Sequence, residues 1–196
     1  MEKVIIGAGG FAKEVKSQMN NSNIKMFVND EYWISNDENI FKLSDLNIKK
    51  HMVIVAIGNP IDRYKIIKKL PLETMFYNFI HHSTLFLSND IEIGIGSIIC
   101  AGCILTTNIK IGNHSQLNLH TTIGHDTVVG DFFTTAPGVK ISGNCTIGDR
   151  VYFGTNSSVK EKIKICDDVV IGLNSGVVKN IELCGVYGGV PINKIK

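Results

Sequence analysis

Residues 111–130 read Ile111-Gly112-Asn113-His114-Ser115-Gln116-Leu117-Asn118-Leu119-His120-Thr121-Thr122-Ile123-Gly124-His125-Asp126-Thr127-Val128-Val129-Gly130. An aliphatic residue returns at every sixth position, and glycine follows it after Ile111, Ile123 and Val129. The frame extends upstream through Leu105, Ile99, Ile93 and Leu87, and downstream through Thr135, Ile141, Ile147, Phe153, Val159, Ile165, Ile171 and Val177. Only Thr135 and Phe153 among these sixteen are not Leu, Ile or Val. Four residues after each aliphatic stands a second inward candidate, often Ser, Thr, Cys, Val or Ile. A helix repeats every 3.6 residues and a strand every two, so neither produces a strict six. A solenoid does. Each unit supplies one short strand and one corner, three units close a triangular coil, and coils stack at the ~4.8 Å spacing of paired strands. Roughly five such coils are predicted between residues 87 and 178.

Residues 1–78 follow a different pattern and form a first domain, with 79–196 as the solenoid and its tail. Lys3 to Gly10 is an apolar strand running into a glycine-rich turn, and residues 11–19 form a helix with Phe11, Val15 and Met19 on one face. Further strands are expected at 26–28 and 52–57, the latter followed by a helix carrying Arg63. Strands alternating with helices make a small parallel, Rossmann-like α/β sheet. Gly7, Gly9 and Gly10 let backbone N–H groups approach a phosphate at a helix N-terminus. Asp30 follows about 20 residues later, where a ribose ligand is expected. The domain is half the size of a full dinucleotide fold, so a mononucleotide suits it better.

Composition excludes several classes. With 44% hydrophobic and 19% charged residues the chain buries a real core. The net charge of +2 gives no basic field for nucleic acid. No apolar run approaches the ~20 residues of a membrane span, and neither a signal peptide nor a membrane partner is expected. Residues 139–196 hold 8 Lys/Arg against 5 Asp/Glu, a mild excess that suits a small polyanion. Five cysteines without a secretory signal read as reduced thiols in the cytoplasm. Cys100, Cys103 and Cys145 fall on repeat positions that pack, so no metal site is assigned to them.

His125 and Asp126 are the third and fourth residues of their hexapeptide, which places them at a corner where side chains leave the prism. One coil further on stands Gly143. An imidazole oriented by a carboxylate beside a free backbone N–H suits acyl transfer: the base takes a proton from the incoming nucleophile, and the N–H holds the oxyanion.

In order along the chain, Gly7-Ala8-Gly9-Gly10, Ala56-Ile57-Gly58-Asn59 with Arg63, Asn118, Gly124-His125-Asp126, Ser142-Gly143-Asn144 and Gly189-Val190-Pro191 resemble the sugar O- and N-acetyltransferase family of the hexapeptide acyltransferases. The resemblance implies a left-handed parallel β-helix and a homotrimer with active sites between subunits. It implies acetyl-CoA as co-substrate and a UDP- or dTDP-linked amino sugar of bacterial surface-glycan synthesis as acceptor. His125 is then the base and Asp126 its partner. Asn118 lines the site, Gly7, Gly9, Gly10, Asp30 and Asn59 approach the nucleotide, and Gly143, Gly189 and Pro191 approach acetyl-CoA. Apart from the resemblance, Lys160, with Lys162 and Lys164, is read either as a contact to CoA phosphates or as a solvated face. Phe11 and Thr134 stand where many members carry His; at position 134 that His would contact the pantetheine arm. O-acetylation of a free sugar of the sialic acid type is the alternative. A β-helical zinc carbonic anhydrase using His120 and His125 is a distant third.

Overall fold

In the computed structural model, which describes residues 1–21, 23–34 and 37–196, every sixth residue from Gly96 to Asn174 has a positive φ. Eleven of these are not glycine: Asn108, His114, His120, Asp126, Phe132, Asn144, Arg150, Asn156, Lys162, Asp168 and Asn174. None is β-branched, as expected of a backbone region that costs L-residues roughly 1–2 kcal/mol. These left-handed residues turn the chain at each corner and make the hexapeptide a prism.

Three parallel sheets form the faces. Face one contains Gln116–Leu117, face two Thr122–Ile123 and face three Val128–Val129, and each pairs with the coil above: Leu117 with Thr135, Ile123 with Ile141, Val129 with Ile147. The second residue of each strand points inward, and Ile99, Leu105, Leu117, Ile123, Phe153 and Ile171 are wholly buried in one continuous core. Burial of each large apolar side chain is worth about 1.5–3 kcal/mol. The second inward row is buried as well, from Ser97 to Ser175. Its hydroxyls satisfy corner carbonyls: Ser115 donates to Gly112 O at 2.9 Å, Thr121 to Asn118 O at 2.8 Å and Ser157 to Gly154 O at 2.7 Å. Small polar residues are thereby accommodated inside an apolar prism.

The stack is longer than the sequence frame, beginning with Phe79–Ile80 and Leu85–Phe86. At that end the six-residue frame fails: Phe86, not Leu87, pairs with Leu105, and Leu87 is 65% exposed. One extra residue between Phe86 and Ile93 widens the first coil and moves the inward place back by one. The last coil is shortened instead, with Val169 paired to Gly185. Asn193–Lys194 then runs back antiparallel to Gly185–Gly188, and buried Ile192 closes the core.

The N-terminal domain is a four-stranded parallel sheet in the order β3-β2-β1-β4, formed by β1 (Glu2–Ile6), β2 (Met26–Val28), β3 (Ile40–Lys42) and β4 (His51–Val55). Helices α1 (Gly10–Gln18) and α2 (Pro60–Lys69) cover it. Strand β3 is additional to the strands expected from sequence; at three residues it is too short for an alternation signal. Among the described residues no helix is long and apolar enough to cross a membrane.

The domain sits on face one. Ile98, Cys100 and Leu119 pack against Ile5, Ala12 and Ile54, Gln116 Nε2 donates to Val55 O at 2.8 Å, and Ala101 N donates to Gln18 Oε1 at 2.9 Å. Arg63 is fully buried at this junction. Its Nε donates to His114 O at 2.9 Å, its Nη1 to Ile57 O at 2.6 Å, and its Nη2 to Phe132 O and Thr134 Oγ1, each at 2.7 Å. Burial pulls the guanidinium down to about 9.

Candidate active site

His125 lies on the vertex between faces two and three, the one vertex that does not border the N-terminal domain. Ile123 anchors the strand before it in the core, and buried Thr127 anchors the strand after it. The left-handed backbone of Asp126, φ 58°, swings the pair outward between these anchors. The two side chains are 60% and 45% exposed, and His125 Nδ1 meets Asp126 Oδ2 at 2.7 Å. A carboxylate partner places the proton on Nδ1 and leaves the Nε2 lone pair free. The bond from His125, and then one from Asn108, hold the Asp126 carboxyl below its ordinary value.

The imidazole lies over Gly143 of the next coil. A β-carbon at 143 would stand 2.5 Å from Nε2 and 2.7 Å from Cε1, so the ring occupies the space that any side chain there would need. Asn144 N donates to His125 O at 2.6 Å and ties the two corners together. Gly143 N donates to no acceptor among the described residues, and the glycine itself is buried beneath the imidazole. The vertex between faces three and one differs: Asn113 N, Asp131 N and Asp149 N each donate to a side-chain oxygen of the next coil. A bare glycine at 143 interrupts that kind of ladder beside His125.

The other expected contacts divide. Lys160 is exposed on the same vertex, two coils beyond Gly124. Gly189 and Pro191 lie at the end of the prism: Gly189 O accepts from Gly176 N at 3.0 Å, and Gly176 is on face two three coils beyond Thr122. Asn118 does not join His125. It lies on the vertex between faces one and two, where its Oδ1 accepts from Leu119 N at 2.7 Å. His120 is on that vertex too, above Gly102, and so stands apart from His125 within one chain. Thr134 is 3% exposed beneath Arg63 on face one, so position 134 faces the N-terminal domain and not a pantetheine arm along the His125 vertex.

A second concavity, of about 700 Å³, opens at the carboxyl ends of β1, β2 and β4. Gly7, Gly9, Gly10 and Phe11 line it, together with Asn29, Tyr32, Asp62, Lys65 and Lys69. Gly7 has φ 118° and leaves only 2.7 Å between a would-be β-carbon and Ala56 O, so glycine is required there. Gly9 and Gly10 have open space where their side chains would be. Asp30 is turned away: its carboxylate accepts from Ser44 N at 3.2 Å and Ser44 Oγ at 2.7 Å. Asn59 is also occupied, capping α2 by accepting from Ile61 N at 2.9 Å and Asp62 N at 3.2 Å. Neither residue lines the cavity: Asp30 is held by Ser44 and Asn59 by the first turn of its own helix. Sequence reading missed Lys65 and Lys69, although their spacing of four on α2 puts them on one helical face.

Comparison with known proteins agrees with this layout. Residues 3–70 match the PglD N-terminal domain family. The chain is 27% identical over 174 residues to a GDP-perosamine N-acetyltransferase of Escherichia coli O157:H7, covering 81% of this chain and 78% of that one. Its fold matches PerB of Caulobacter crescentus, solved with CoA and GDP-perosamine, at a TM-score of 0.89 and 22% identity over 100% of this chain and 98% of that one. WeeI of Acinetobacter baumannii AYE matches at a TM-score of 0.88 and 27% identity over 100% of both chains. In its N-terminal domain, its sequence relative and its fold together, the chain is similar to sugar N-acetyltransferases of the hexapeptide-repeat kind.

Proposed function

We propose that this protein transfers the acetyl group of acetyl-CoA to the amino nitrogen of a nucleoside diphosphate-linked amino sugar, with His125 as general base. The observation that carries the reading is an exposed imidazole, held by a carboxylate at 2.7 Å and seated on a bare glycine. The amine attacks the thioester carbonyl while His125 Nε2 takes its proton. Gly143 N–H donates to the oxygen as charge develops on it. Collapse releases the CoA thiolate, and the proton on His125 neutralises it. Lys160 and the Gly189–Pro191 tail lie further along the prism, in line for an extended CoA.

The glycine-rich cavity takes the nucleotide. Its diphosphate meets the free N–H groups at the start of α1, with Lys65 and Lys69 at the rim. That cavity belongs to a domain seated on face one, whereas His125 is on the opposite vertex. The base therefore serves a sugar bound by a neighbouring copy, which supports a homotrimer with active sites between subunits. Both co-substrates are cytoplasmic metabolites, and the amino-sugar acceptor suits surface-glycan synthesis in that compartment.

Coenzyme A release tests the reading, measured with acetyl-CoA and a panel of UDP-, dTDP- and GDP-linked amino sugars plus free sialic acid. Turnover with one nucleotide amino sugar is expected. Turnover with the free sugar alone, or with none of them, contradicts it.

A further inference from the structure

The contacts that hold His125 do not end at Asp126. Asn108 occupies the same corner one coil below, and its Nδ2 donates to Asp126 Oδ1 at 2.6 Å, while Asp126 Oδ2 holds His125. One coil lower again, Asp90 accepts from Asn108 N at 2.9 Å and from Thr107 Oγ1 at 3.0 Å. Asp90, Asn108 and Asp126 thus form a column along the vertex, each eighteen residues from the next.

Corner geometry alone does not demand an amide at 108. The left-handed row also accepts glycine, histidine, phenylalanine and lysine. What the amide adds is a second anchor. An exposed carboxylate held through one oxygen rotates about its last bond; held through both, it presents a fixed lone pair to its partner. A carboxamide NH2 can only donate, so it favours the ionised form of Asp126. The Asp90 contacts seat the Asn108 backbone and leave its side chain free to reach upward.

We propose that Asn108 is a positioning residue for the reaction: acting through Asp126, it fixes the His125 ring with the proton on Nδ1 and the Nε2 lone pair facing the vertex groove. This rests on the reading of His125 as the base. Asn108→Gly is the informative variant, since glycine keeps the left-handed backbone while removing the amide. Two quantities are measured in the whole protein: kcat and KM for both substrates, and the ring 15N chemical shifts of His125, which report the tautomer without turnover. The expected result is a fall in kcat of about tenfold, KM values within about twofold of the wild type, and a shift from one tautomer toward a mixture. Wild-type kcat, or a fall in kcat with the tautomer pattern unchanged, overturns the proposal. If the glycine variant does not fold, isosteric Asn108→Asp turns the donor into an acceptor, and the same two measurements support or overturn the proposal in the same way. His125→Asn run in parallel separates the two claims: full turnover there refutes the base, whereas its loss beside an unaffected Asn108→Gly refutes only the positioning role.

Discussion

His125 keeps its place because the coil above it is bare. In Gly143→Ala the new methyl meets the tip of a movable side chain and not backbone, so the ring swings aside and the fold survives. The expected outcome is a fall in kcat of at least about tenfold with a thermal midpoint within about 4 °C of the wild type; unchanged kcat would mean that the seat is not used. Gly9 allows a matching experiment at the other site. Its position is the N-cap of α1, φ −72°, with nothing within 4 Å of a would-be β-carbon. Gly9→Asp therefore improves the cap while setting a negative charge against the diphosphate. Thermal stability should hold, and stabilisation by a nucleoside diphosphate should disappear; retained nucleotide stabilisation would contradict the assignment. At this scale the sequence announced His125 and Gly143 because the repeat converts an eighteen-residue interval into adjacency. It did not show that the oxygens of Asp30 and Asn59 already have partners, which spacing alone does not reveal.

Two elements meet where α2 and the domain sheet press on face one. His114 is 6% exposed there, its ring 4.6 Å from Phe76 and 5.3 Å from Phe132 between centroids. Burial first, and Arg63 second, push this imidazole down to about 4 from an ordinary 6.5, outweighing Asp131. Between those two values the unfolded chain takes up a proton that the folded chain refuses. Stability is therefore full above pH 6.5 and declines as pH falls toward 4. His114→Asn keeps a residue tolerant of the left-handed backbone and should remove up to about 3 kcal/mol of that decline. Equal pH dependence of unfolding in variant and wild type would show that the ring is not buried neutral. Arg63→Ala strips donors from a set of buried carbonyls and should cost about 3–5 kcal/mol in denaturant unfolding; a loss under about 1 kcal/mol would contradict the described junction. The coils themselves were legible, because six is a period that only this architecture uses. The ends were not: an added residue before Ile93 and a shortened final coil obey closure of the prism, which the repeat does not encode. Arg63 stood out in sequence, yet its partners at 114, 132 and 134 lie too far along the chain for local reading.

At the scale of the molecule, the proposed nucleotide cavity and the proposed base lie on opposite sides of a prism, so the proposal requires a second chain to complete each site. Mixing Gly9→Asp with His125→Ala after joint refolding should restore about a quarter of the wild-type sites, since some interfaces then pair an intact cavity with an intact imidazole. A mixture as inactive as its components would place both halves within one chain. An N-terminal α/β part followed by a coil of hexapeptides was readable from the change of period, but the face on which the first sits was not. That choice depends on Gln116, Ile98 and Thr134 pointing outward toward partners supplied by the other domain. The most direct test of the whole account is the rate of CoA release by His125→Asn with the preferred nucleotide amino sugar. The expected result is a loss of at least about a hundredfold, with CoA and nucleotide binding kept within a few-fold. A variant that turns over at the wild-type rate would contradict it.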